Sequence, residues 1–219
     1  MISLSSTNVH YQGKAALSDI TLHINQGEKL ALVGQSGSGK TSLLKLLNDR
    51  LKLDKYNTAF IPQDYALVQN LSVYHNVYMG QLSRRATWYN LFNLIKPFTE
   101  PLSEVTQLLK KVQLVDKLFQ PVGELSGGQQ QRTAVARALM QSANILLADE
   151  PVSSVDERQS LRIMKLLCEQ FDSVIFSLHD VDLALSYCDR VIGIKHGKIV
   201  IDDTTVNLSR NDLLTLYEE

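Results

Sequence analysis

Residues 19–24 (DITLHI) alternate polar and apolar side chains, the two-residue period of a strand with one buried face. NQGE follows as a turn. KLALVG (29–34) is a continuous apolar run ending in glycine, which predicts a strand buried on both faces. The leucines of KTSLLKLLNDRL (40–51) recur at helical spacing, and TAFIPQ (58–63) reads as a short strand. From about 64 to 140 the period changes. VYHNVYMG, WYNLFNLI and PLSEVTQLLKKVQLVDKLF are helix-like and separated by polar turns, and QQQRTAVARALMQ (129–141) is a further helix. This predicts a helical block inserted into an α/β core. The core resumes with NILLADEP (144–151), a buried strand ending in acids, then the helix DERQSLRIMKLLCEQF (156–171) and the strand of SVIFSLHD (173–180). RVIGIKHGKIVIDD (190–203) predicts a hairpin with HGK at its turn. Strands alternating with helices imply a largely parallel sheet.

Composition narrows the function classes. The 219 residues suffice for one globular unit, with 44% hydrophobic and 21% charged residues, ordinary for a water-soluble chain. The formal net charge of −1 supplies no long-range field toward nucleic acid or anionic lipid. Cys168 and Cys188 are expected to be buried, reduced thiols. The first residues, MISLSSTNVHYQGK, lack the basic and apolar regions of a signal peptide, and no run approaches the ~18 to 20 apolar residues of a membrane span. Work at a membrane would go through a partner.

The chemistry begins at GQSGSGKTS (34–42). Gly34, Gly39, Lys40 and Thr41 fit G-x-x-x-x-G-K-[ST], with a predicted strand before and a helix after. Such a loop curls so that backbone N–H groups along Ser36, Gly37, Ser38 and Gly39 face phosphate oxygens, and the helix adds its positive end. Lys40 can reach the β- and γ-phosphates as a point charge. The Thr41 hydroxyl can ligate Mg²⁺, and Ser42 can donate to a phosphate. The bland alternative is a surface turn with an incidental lysine. ILLADE weighs against it: Asp149 closes an apolar strand where it can hold Mg²⁺ through water, and Glu150, facing the other way, can polarise an attacking water. Together these residues predict hydrolysis of a nucleoside triphosphate.

LSGGQQQR (125–132) sharpens the picture, because Ser126, Gly127 and Gly128 open a second helix and hence a second anion-binding N-terminus. With this motif the chain resembles the ATP-binding cassette subunits of ABC transporters over essentially its whole length. GQSGSGKTS resembles their Walker A loop, Gln63 in FIPQD the Q-loop glutamine, LSGGQ (with Gln129) the signature, and ILLADE the Walker B strand with catalytic Glu150. SSVD with Asp156 resembles the D-loop, His179 the switch histidine, and Tyr11 the aromatic that stacks on adenine. The resemblance implies a P-loop NTPase core with a mostly parallel sheet, a small antiparallel β-subdomain and an inserted helical subdomain. It further implies that 1–219 form one nucleotide-binding domain, with 1–63 and 141–219 as core and 64–140 as helical subdomain. ATP and Mg²⁺ are the implied cofactors, with Thr41, Gln63 and Asp149 at the metal. Two copies are implied to pair head to tail, so that the signature of one covers the γ-phosphate held by the other. Permease subunits, and indirectly a solute-binding protein, are the implied partners. The implied location is the cytoplasmic face of the inner membrane, and no nucleic acid is implied.

LSVYHNVYMGQLSRRATWYNLF and LADEPVSSVD are similar to the cassettes of phosphonate importers, although lipoprotein-exporting cassettes share LADEP. Trp88 and its neighbours WYNLF are expected to pack within the helical block or to contact a permease. Gln63 follows Lys40 by only 23 positions, so the antiparallel subdomain is expected to be trimmed, leaving strands near 2–24 and 58–62. The alternatives are a cassette of another ABC system, a soluble ABC ATPase of DNA repair or translation, and a nucleotide-binding regulator without turnover. The last is disfavoured by the presence of Lys40, Asp149, Glu150 and His179 together.

Overall fold

The structure, a computed structural model, describes the backbone of residues 2–11 and 14–218, with side chains except at 10, 11, 14 and 15. The described residues divide into two compact units. The first comprises Met1–Phe60, Asn144–Pro151 and Met164–Glu219, and the second Ile61–Ala143 and Val152–Ile163.

In the first unit, β1 (Ile2–Tyr11) and β2 (Lys14–Ile24) form a two-stranded antiparallel sheet. β3 (Lys29–Val33), β4 (Thr58–Ile61), β5 (Ile145–Asp149), β6 (Ser173–Ser177), β7 (Arg190–Lys195) and β8 (Lys198–Thr204) form a six-stranded sheet in the order β4-β5-β6-β3-β7-β8. β5, β6, β3 and β7 run parallel, and β8 is antiparallel to β7. The parallel strands are apolar along their middles because both of their faces are covered there. The antiparallel sheet is thus reduced to two strands. TAFI does not join it, however: β4 forms the edge of the large sheet beside β5. Its four residues are too few for their alternation to have told one sheet from the other.

α1 (Lys40–Leu53) buries Leu43, Leu44, Leu47 and Leu51 against one face of this sheet, where they meet Leu30, Leu32, Ile145, Leu147, Ile175 and Ile192. The members of β3 and β5 sit two apart, which fixes that face and, by continuing the period, the direction of Asp149 and, two beyond Ile175, of Ser177. The β7–β8 turn places His196 and Gly197 at φ 50° and 75°, the mirror-image turn that matches strand twist in a two-residue hairpin.

The second unit is helical: α2 (Val73–Tyr78), α3 (Thr87–Ile95), α4 (Thr99–Lys111) and α5 (Gly127–Met140). The expected helix over PLSEVTQLLKKVQLVDKLF stops at Lys111, and Gln113 at φ 54° turns the chain. Tyr74 and Tyr78 stack, with ring centroids 5.9 Å apart, and their hydroxyls donate to Asn93 Oδ1 at 2.9 Å and Asn90 Oδ1 at 2.7 Å. Trp88, Leu91, Phe92 and Ile95 of α3 are exposed. α6 (Glu157–Gln170) follows β5 in the chain, α7 (Val181–Tyr187) follows β6, and α8 (Arg210–Leu214) lies near the C-terminus. Among the described residues no helix is long and apolar enough to cross a membrane.

Candidate active site

α1 starts at Lys40 because Gly39 precedes it in the left-handed region, at φ 115° and ψ 1°. A Cβ on Gly39 would lie 2.8 Å from Leu17 Cδ2 and 2.9 Å from the Ala16 carbonyl, so space as well as conformation demands glycine. No side chain caps the helix, and its first turn holds no acid. The first N–H groups are left for an external acceptor, and the helix dipole favours an anion there. Lys40 is only 5% exposed, and its Nζ donates to the carbonyls of Gly34 (2.7 Å) and Gln35 (3.0 Å). Burial lowers its pKa from the ordinary lysine value, opposed by the negative charges of Glu150 and Asp149. Ser36 and Gly37 are exposed, Ser38 is buried, and Thr41 and Ser42 are half-buried in the first turn.

Asp149 ends β5 and is 1% exposed. Its side chain continues the row of Ile145 and Leu147, the face covered by α1. Its Oδ1 is buried without a hydrogen-bond partner among the described residues, as are the hydroxyls of Ser38 and Ser177. A buried carboxylate oxygen with no donor is costly. A buried carboxylate oxygen left without a donor is the hard-oxygen ligand that Mg²⁺ takes, so Asp149 fits that ion.

Glu150 follows at φ 53°, a left-handed conformation uncommon for a side-chain-bearing residue and concentrated at functional sites. Its N–H donates to the Ser177 carbonyl (3.1 Å). The backbone thus reverses one residue after Asp149, and Glu150 Oε1 comes to 2.8 Å from His179 Nε2. His179 itself sits just before α7, whose N-cap Asp180 accepts from the N–H groups of Asp182 (2.9 Å) and Leu183 (3.2 Å). The two residues assigned to catalysis are therefore in direct contact, a pairing that their separation of 29 positions conceals in the sequence.

In the second unit Ser126 caps α5. Its Oγ accepts from Gln129 N–H (3.4 Å), and Gln129 Oε1 accepts from Ser126 N–H (2.9 Å), a reciprocal capping box. Gly127 and Gly128 form the first turn. A Cβ on Gly128 would stand 2.7 Å from the Ser154 carbonyl, so LSGGQ and SSVD lie against one another. Asp156 is exposed and its Oδ1 accepts from Gln159 N–H (3.0 Å) at the start of α6. Gln63 is exposed, in the turn after β4. Tyr11 closes β1, but its side chain lies outside those described.

The ABC transporter family profile matches residues 17–153. The chain belongs to the ABC transporter family. Two curated relatives are the phosphonates import ATP-binding proteins PhnC of Cupriavidus pinatubonensis and of Lactobacillus acidophilus. The first is 37% identical over 93% of this chain and 83% of its own, the second 36% identical over 99% and 94%. Among solved structures, the dimeric bacterial ABC transporter cassette MJ0796 matches with a TM-score of 0.80 at 26% identity, covering 94% of this chain and 99% of its own. Its dimeric post-hydrolysis state, bound to ADP and Pi, matches with a TM-score of 0.78 at 25% identity over the same shares. As an ABC cassette this chain binds ATP and is an ATPase coupled to transport.

Several residues of this ABC cassette escape a motif search. Arg137 on α5 donates to the Ala66 carbonyl (2.6 Å) and to that of Tyr65, so the turn after Gln63 hangs from the signature helix. Tyr65 in turn places its hydroxyl 2.9 Å from Ser154 Oγ, and the N–H of Ser154 donates to Gln131 Oε1 (3.2 Å). An arginine and a glutamine among the small residues of QQQRTAVARAL were the available signal. Tyr217 and Gln35, which meet at the phosphate loop, carried none.

Proposed function

We propose that this chain is the ATP-hydrolysing, energy-coupling subunit of an importer for phosphonates or a related oxyanion. The observation that carries hydrolysis is the Glu150–His179 contact at 2.8 Å, one residue beyond the buried, unpartnered Asp149 Oδ1. Phosphonate as the cargo is supported by the names of relatives 34–37% identical to this chain.

In this reading the N–H groups from Ser36 to Ser42 cradle the phosphates, and Lys40 turns its ammonium from the carbonyls of Gly34 and Gln35 to the γ-phosphate. Tyr11 stacks on adenine. Thr41, Asp149 and Gln63 hold Mg²⁺, Asp149 through water. When bound, that ion offsets the negative charge that builds on the transferred group. Glu150 accepts a proton from the attacking water as its oxygen bonds to the γ-phosphorus and the bond to the leaving ADP oxygen breaks. His179 orients Glu150 and contacts the γ-phosphate. Ser126, Gly127, Gly128 and Gln129 act on the ATP of a second copy across a head-to-tail dimer, with Asp156 at the same interface. Hydrolysis removes the γ-phosphate contacts and lets the dimer open.

We place the whole of 1–219 in one nucleotide-binding domain, peripheral on the cytoplasmic face of the inner membrane. It binds permease subunits and, through them, serves a solute-binding protein. The exposed Trp88, Leu91, Phe92 and Ile95 supply a face for the permease. Reconstituted with its permease and binding protein in vesicles, the complex is expected to take up 2-aminoethylphosphonate on addition of ATP. Uptake of a different solute with no phosphonate uptake would overturn the cargo and leave the ATPase standing.

A further inference from the structure

The last turn of the chain touches two functional loops at once. Ser209 and Asp212 form a capping box that starts α8, and Leu213 and Leu216 are buried. Gly193 on β7 makes room for Leu216, because a Cβ there would stand 3.0 Å from both Leu216 δ-carbons. This seating delivers Tyr217 to the open end of the sheet. Its main-chain carbonyl accepts from Gln35 Nε2 (2.9 Å), and the next carbonyl, of Glu218, accepts from Lys195 Nζ (2.7 Å).

Tyr217 joins two loops from opposite ends of one residue. Its hydroxyl donates to the His179 carbonyl at 3.2 Å, while its main-chain carbonyl holds Gln35 of the phosphate loop. Gln35 and His179 lie just past the paired parts of β3 and β6. The β3–β6 hydrogen bonding reaches the Leu178 N–H, which donates to the Leu32 carbonyl at 3.0 Å. Beyond that point the strands give way to the phosphate loop on one side and the histidine loop on the other. Tyr217 spans the gap that follows, its hydroxyl on one loop and its main-chain carbonyl on the other. Burial raises the pKa of this hydroxyl, so it remains a protonated donor through the neutral range.

We propose that Tyr217 is a positioning residue that ties the His179 loop to the phosphate loop, its hydroxyl holding the first and its main-chain carbonyl the second, and so sets where the histidine meets the γ-phosphate. The proposal rests on the roles given above to Lys40, Glu150 and His179. It adds a third element, the C-terminal turn, to the definition of the site. The chain's end thereby has a defined part in catalysis although it carries no group that touches the nucleotide.

The test uses the full chain and Tyr217→Phe, which keeps the ring and its packing and removes only the oxygen. Amide hydrogen exchange is followed by mass spectrometry in the peptides covering 34–40, 178–182 and 205–218, beside ATP turnover and thermal melting. Loss of the hydroxyl frees the His179 loop and is expected to speed exchange roughly two- to tenfold in 178–182, with 34–40 still held by the Gln35 contact. The peptides of α5 and the melting temperature should stay unchanged, and kcat should fall severalfold with KM for ATP held within about twofold. Exchange that rises only in 205–218, or an unchanged kcat, overturns the proposal. Loss of kcat matched by a lower melting temperature and faster exchange throughout does so too, because it marks a merely structural role. The exchange needs no turnover, so failure of the ATPase reading would show instead as a wild-type chain that does not hydrolyse ATP.

Discussion

Glu150 and His179 are ordinary residue types in an unusual arrangement. Glu150 holds a left-handed backbone conformation, which costs on the order of 1 kcal/mol or more for a residue with a Cβ, and it persists where the surroundings impose it. Here the Ser177 carbonyl takes its N–H and His179 its carboxylate. Replacing His179 by Ala should lower kcat for ATP by roughly 10²-fold with little effect on nucleotide affinity, read by phosphate release beside equilibrium binding of a fluorescent ATP analogue. Lys40 offers a second test. Its folded pKa lies below the unfolded value of 10.5, so in the window between them the unfolded chain binds more protons, and stability rises with pH. The unfolding free energy of the wild type minus that of Lys40→Met, from urea titrations between pH 7 and 10.5, should therefore increase as pH climbs. A difference that stays flat would contradict the burial of a charged ammonium there. At this scale the sequence was informative wherever a side chain's role is tied to its own segment, as for Asp149 at the end of an apolar strand. It was silent on contacts between distant segments, such as Glu150 with His179 or Tyr217 with His179, because no local periodicity records them.

Elements differed in legibility for a physical reason. Long periodic segments such as α1, α5 and α6, and strands with unbroken apolar interiors such as β3, β5 and β6, carry enough residues to fix their type. The β7–β8 hairpin was legible from a glycine at its turn. β4, at four residues, was assigned to the wrong sheet, since one face of a short edge strand looks the same in either. α8, at five residues, is too short to show a period at all, yet it carries the chain to Tyr217. The signature helix makes a stability prediction of its own. Ser126 caps α5 through a two-way bond with Gln129, so Ser126→Ala should destabilise the chain by about 1 kcal/mol in urea unfolding, with no nucleotide present. No loss of stability would mean that LSGGQ is not held by that capping box in solution. Gly128→Ala should cost about 1–3 kcal/mol, because its Cβ would meet the Ser154 carbonyl at 2.7 Å.

At the scale of the whole molecule, two anion-ready helix starts occur on one chain, at Gly39–Lys40 and at Ser126–Gly127. They belong to different compact units. A head-to-tail pair of copies gives each start an ATP to share with the other copy, and the matched MJ0796 cassette is itself a dimer. In analytical ultracentrifugation, Glu150→Gln with saturating ATP is expected to sediment as a dimer and to return to monomer with ADP; monomer in both states would contradict the pairing. The order of the motifs, from GQSGSGKTS to SLHD, made the succession of strands and helices readable, because each motif marks the end of a strand or the start of a helix; the pairing of copies was legible only through the resemblance to ABC cassettes. The cargo was readable only through resemblance to relatives, since no motif of this chain marks it. The most direct test of the central claim is steady-state phosphate release from ATP by the full chain and by Glu150→Gln at equal, saturating nucleotide. The wild type is predicted to turn over, and the variant to be slowed by roughly 10²- to 10⁴-fold while still binding ATP. Equal rates for the two would contradict Glu150 as the base and, with it, the account of this site.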